Sequence, residues 1–72
     1  MDISKATKER INQICKEKNY TLNKLSYKAG ITQSTLNKLM KNKYQTTTLK
    51  TLQLICIGLN IELSEFFNNE IF

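Results

Sequence analysis

Leu22-Asn23-Lys24-Leu25-Ser26-Tyr27-Lys28-Ala29-Gly30-Ile31-Thr32-Gln33-Ser34-Thr35-Leu36-Asn37-Lys38-Leu39-Met40-Lys41 is the stretch that decides the fold. Leu22, Leu25 and Ala29 recur at helical spacing behind Thr21, a good N-cap, and predict a helix over 22–29. Gly30 ends it, because glycine takes positive φ without steric cost. Thr32 caps a second helix over 33–41, whose Leu36, Leu39 and Met40 face inward. Ile31 also points inward. Two short helices joined by Gly30-Ile31-Thr32 make a helix-turn-helix arrangement. Ser26 is small where these helices cross. Gln33, Ser34, Thr35, Asn37 and Lys38 point away from the core, and these are the hydrogen-bonding types that read base edges.

The flanking sequence extends the helical reading. A first helix runs from about Ser4 to Lys18, capped by Ser4 or Asp2, with Ile11, Ile14, Cys15 and the stem of Lys18 inward and Asn19 as a left-handed stop. Residues 42–47 are polar without periodicity and read as a loop. Thr47 or Thr48 caps a fourth helix ending near Leu59, with Leu49, Leu52, Ile55, Cys56 and Leu59 inward and Asn60 as its stop. A last helix, about 62–68, carries Leu63, Phe66 and Phe67. No strand candidate appears. The expectation is an all-α chain of five short helices in a single domain, 1–72.

Composition narrows the function classes. Seventy-two residues bury only about 60% of their unfolded surface, leaving little room for an enzyme pocket. With no His, the commonest general base and metal ligand is missing. Cys15 and Cys56 are far apart and without His partners, so no zinc site is expected and both read as buried thiols. Ser34, with no His and no GxSxG context, is not a nucleophile candidate. No apolar run is long enough for a membrane span and no signal-peptide core is visible, so a cytoplasmic location with reduced thiols is expected.

Charge is distributed unevenly. All 11 basic residues lie in 1–50 with three acids (Asp2, Glu9, Glu17), giving +8; residues 51–72 hold no base and three acids (Glu62, Glu65, Glu70), giving −3. Between 21 and 50 stand Lys24, Lys28, Lys38, Lys41, Lys43 and Lys50 with no acid. A solvated helical face mixes signs, whereas a one-sign block among Thr, Ser, Asn, Gln and Tyr fits a polyanion. Lys5, Lys8, Lys16 and Lys18 read as solvated, and Tyr20 as packing between the first two helices.

Beyond these readings, the chain resembles the Cro and phage-repressor (XRE-type) helix-turn-helix family over about Lys8 to Phe67. The residues that carry the resemblance are 21–26, 30–36, Leu39, Leu49, Leu52 and 59–67, with Asn60 in place of the family's glycine. The resemblance implies double-stranded DNA as partner and the third helix in the major groove, with Gln33 and Ser34 the first base readers and Thr35, Asn37 and Lys38 further ones. It places phosphate contacts at the start of the second helix and in the loop after the third: Thr21, Asn23, Lys41, Asn42, Lys43 and Tyr44. Tyr27 and Tyr44 are candidates to lie against DNA backbone. No cofactor or metal is implied.

Three positions depart from the family. Leu22 stands where Gln often contacts a phosphate, and Asn42 where Gly is common. Cys15 and Met40 stand where an Arg–Glu pair is frequent. An apolar replacement of both halves is neutral or better, so Cys15 and Met40 are predicted to touch. Ile61, Phe66, Phe67, Ile71 and Phe72 concentrate apolar mass at the acidic end. Ile71 and Phe72 are expected to stay exposed, and the cluster offers a homodimer contact. The resulting expectation is a DNA-binding transcriptional regulator, repressor-like, from a bacterium or its phage. A protein-binding module of the same fold, such as an antitoxin or anti-regulator, is the second reading. The acid-free block 21–50 favours the first.

Overall fold

Most of the described helix ends fall on a capping or left-handed residue, and these ends set the architecture. The computed structural model describes residues 2–41 and 47–72. Among them are α1 (Ile3–Lys18), α2 (Leu22–Ala29), α3 (Gln33–Lys41), α4 (Leu49–Leu59) and α5 (Leu63–Phe67), and no strand. Asp2, rather than Ser4, caps α1, its carboxylate accepting from the Ser4 and Lys5 amides. Thr21, Thr32 and Thr48 repeat one device: each hydroxyl accepts from the amide three residues on, Lys24, Thr35 and Thr51, at 3.1, 3.1 and 3.2 Å.

The C-terminal ends share a second device. Asn19, Gly30 and Asn60 take φ of 58°, 72° and 60°. At each, two amides turn back onto the last turn of the helix: Tyr20 to Cys15 and Asn19 to Lys16, Ile31 to Ser26 and Gly30 to Tyr27, Ile61 to Cys56 and Asn60 to Ile57. This is the Schellman closure. The apolar residue that follows each stop (Tyr20, Ile31, Ile61) packs half-buried on the core, so each turn is anchored as well as capped.

The core draws on all five helices: Ile11, Ile14 and Cys15 of α1, Leu25 and Ala29 of α2, Leu36 and Leu39 of α3, Leu52, Ile55, Cys56 and Leu59 of α4, and Phe66 of α5. α2 packs most extensively on α4. The two approach so closely that a Cβ on Gly58 would stand 2.8–3.0 Å from Ala29 backbone N and Cα and from its Cβ. Ser26 is buried as expected, and its hydroxyl donates to the Asn23 carbonyl at 2.7 Å. Cys15 is buried in this core and Met40 packs half-buried against it.

α5, five residues long, cannot persist alone. Phe66 is fully buried, and Arg10 of α1, itself 8% exposed, grips the end of the helix. Its Nε donates to the Phe66 carbonyl at 2.7 Å and one terminal nitrogen to the Glu65 carbonyl at 3.0 Å. The other terminal nitrogen donates to Gln13 Oε1 at 2.6 Å. A guanidinium there satisfies carbonyls that the helix end leaves open and opposes its negative pole.

Several expectations need correction. Leu49 is 69% exposed, not inward: its spacing is right, but α4 starts beyond the edge of the core, and the side chain lines an open groove with Ile3, Thr47 and Phe67. The Lys18 stem is likewise exposed. The last helix is 63–67 rather than 62–68. Phe72 does not stay exposed. The Asn69 side chain accepts from the Ile71 amide and its carbonyl from the Phe72 amide, folding the tail back. The Phe72 ring then sits 4.9 Å from Phe67 and 5.9 Å from Phe66. Ile71 is half-buried.

Three outcomes follow from this packing. Alanine at position 58 improves intrinsic helix propensity by about 1 kcal/mol, yet overpacking against backbone costs about 1–3 kcal/mol. Gly58→Ala therefore lowers stability in urea unfolding, where an unpacked helix would gain. Arg10→Met leaves the Glu65 and Phe66 carbonyls without their charged donor and costs about 2–4 kcal/mol in the same measurement. Burial pushes both thiols above their ordinary value of 9.0, with Arg10 only partly offsetting this at Cys56. Both are thus protonated at neutral pH. The stability gained from burying neutral thiols is complete below the ordinary value and is lost as pH rises through the raised one. A disulfide-exchange reagent at pH 8 leaves the native protein unlabelled and labels both cysteines once urea unfolds it.

Candidate nucleic-acid interface

α3 is amphipathic by construction. Leu36 and Leu39 are buried and Met40 packs half-buried on the core, which turns the polar positions outward. Gln33, Ser34, Asn37, Lys38 and Lys41 line one shallow open depression along the helix. All are exposed except Asn37, which is half-buried. The row offers amide, hydroxyl and ammonium groups at one-turn intervals, with no carboxylate among them. Such a surface can donate to and accept from base edges and carries cations for phosphate.

The structure sorts the expected base readers into two groups. Gln33, Ser34, Asn37 and Lys38 come together in the row. Thr35 is exposed but stands outside it: its hydroxyl accepts from Thr32 Oγ1 at 2.7 Å and its amide donates to that oxygen, so it works in the cap of α3. Lys41, expected as a phosphate contact, lies in the same row as the readers.

The remaining expected positions scatter around this row. Thr21 and Asn23 are exposed at the start of α2, with the Thr21 hydroxyl engaged as the cap. Tyr27 is 88% exposed on the outward face of α2. Asn42, Lys43 and Tyr44 lie outside the described residues. Of the apolar group expected to make a dimer contact, Phe66 is fully buried, and Ile61 and Phe72 pack half-buried on the core, leaving Phe67 at 41% as the most open. Ile57, 62% exposed, stands beside Ile61 in a groove edged by Glu62 and Glu65.

Two residues that hold the fold together were not evident from the sequence. Arg10 is the chain's single Arg. Its signal is the side-chain type, since only a planar five-donor group can serve two carbonyls and an amide together. Gly58 interrupts an apolar helix pattern, which is the mark of a close approach. No group of three His, Cys, Asp or Glu that could hold a metal ion exists among the described residues. Among them, too, no helix is long and apolar enough to cross a membrane.

Comparison with known proteins bears on this geometry directly. A family model described as the Cro/C1-type HTH DNA-binding domain matches residues 10–70. Comparisons with curated proteins and with solved structures return no match. The matched span runs from the Arg10 grip through the α3 row to the folded-back tail, which is most of the chain. The chain therefore belongs to the Cro/C1-type HTH DNA-binding family, whose members are DNA-binding regulators and not enzymes.

Proposed function

We propose that this protein is a repressor-like transcriptional regulator that recognises a specific operator by laying α3 in the major groove of double-stranded DNA. The observation that carries the reading is the α3 row. Gln33, Ser34, Asn37, Lys38 and Lys41 share one open surface while Leu36 and Leu39 lock the opposite side of the helix into the core. In this reading Gln33 and Asn37 pair with adenine edges, Lys38 with guanine, and Ser34 with either. Thr35 serves the cap first and reads bases second.

Phosphates are held by Thr21 and Asn23 at the start of α2, by Lys41, and by Tyr27 from the outward face. Asn42, Lys43 and Tyr44 continue this set along the chain. The lysines supply affinity by counterion release, and the row supplies discrimination. Acting in the cytoplasm, the regulator occupies its operator as a twofold dimer. Support for the dimer comes from Ile57 and Phe67, exposed apolar side chains at the end that lacks Lys and Arg.

Selection of bound sites from random DNA identifies the operator. On that site Gln33→Ala costs about 1–3 kcal/mol and relaxes preference at one base pair, whereas Lys41→Ala weakens cognate and random DNA alike. Identical behaviour of the two variants on both DNAs contradicts the assignment of α3. Absence of any binding to mixed DNA at about 50 mM salt contradicts DNA binding altogether.

A further inference from the structure

Tyr20, Lys24 and Lys28 form an arrangement that neither the core nor the α3 row accounts for. The Tyr20 ring packs half-buried where the α1 stop meets the α2 cap. Lys24 Nζ lies 4.9 Å from its centroid and Lys28 Nζ 5.4 Å. Both lysines are exposed, and they stand four residues apart on α2. Like charges at that spacing repel. The ring face attracts each ammonium but neutralises neither, and the sequence offers no acid anywhere between 21 and 50.

Two cations gathered on one ring against their own repulsion form half of an anion site. The missing half is a group with several acceptor oxygens at full charge. The Thr21 cap beside the ring puts the positive pole of the α2 dipole nearer Lys24, while Lys28 belongs to the helix's last turn and reaches the same ring. We propose that Lys24 and Lys28 bind backbone phosphate of DNA outside the stretch read by α3, and that Tyr20 is their positioning residue. The ring does not touch DNA. It holds two flexible side chains together before binding, so less freedom is lost when phosphate arrives. This inference rests on the DNA-binding reading above and adds to it a contact site at the exposed lysines of α2.

The test uses the full chain and the selected operator duplex, with affinity measured from about 50 to 200 mM salt. Lys24→Ala/Lys28→Ala makes the slope of log affinity against log salt shallower by about 0.9 for each phosphate given up. Tyr20→Phe, which keeps the ring, matches the wild type. Tyr20→Leu, which keeps apolar bulk and loses the π face, binds about three- to tenfold more weakly. In the Lys24→Ala/Lys28→Ala background, Tyr20→Leu has no further effect. An unchanged salt slope in the double alanine variant overturns the site. A Tyr20→Leu loss that persists without the lysines overturns the positioning role and marks the ring as core packing only. Wild-type protein that fails to bind DNA at low salt overturns the DNA-binding reading itself, an outcome separate from both.

Discussion

The approach of α2 to α4 at Ala29 and Gly58 is the constraint on which the remainder of the molecule rests. A side chain at position 58 would meet Ala29 backbone at 2.8 Å, so the two helices are as close as backbones allow. Ala29 is the last residue of α2, and Gly30 begins the turn into α3. The contact therefore fixes the point from which α3 departs. From there the left-handed Gly30, the anchored Ile31 and the Thr32 cap leave α3 one direction, with Leu36 and Leu39 entering the core. The row on its outer side is presented by this chain of constraints rather than by any property of the row itself.

The same logic explains why so small a chain holds its shape. Its core is limited by its length, and much of the definition comes from the helix ends. Three threonine caps and three Schellman stops, each stop followed by an apolar anchor, convert the turns after α1, α2 and α4 into packed elements. Arg10 does for α5 what length cannot, by holding its last carbonyls. Spending the single Arg inside the protein also leaves the outward positive charge to lysines alone. That charge lies before residue 51 and the uncompensated acids after it, so the basic block and the acidic end are separate regions of sequence.

Most of the helical frame was legible because it is written in local signals. Caps, stops and the spacing of Leu25, Leu36 and Ile55 act over three or four residues and need no knowledge of the partner helix. What was hidden depends on distant contacts. Leu49 has core spacing yet lies past the rim, and only the position of α1 and α5 shows that. Nothing local to Arg10 announces its role, because the α5 carbonyls it holds lie more than fifty residues away. Phe72 looked like a loose end because Asn69 reverses the tail through its own side chain and carbonyl. At the interface, residue type alone put Thr35 among the readers, and its hydrogen bonds to Thr32 then showed the capping duty.

The central claim is that α3 presents its polar row to DNA. It is tested most directly by recording backbone amide resonances of the isotopically labelled protein as operator duplex is added. The account predicts that the largest shifts fall on Gln33, Ser34, Asn37, Lys38 and Lys41, with Thr21 and Asn23 next, while Phe66 and its neighbours at the acidic end stay in place. Shifts concentrated on Ile57, Glu62 and Phe67, with the α3 row unmoved, would contradict it.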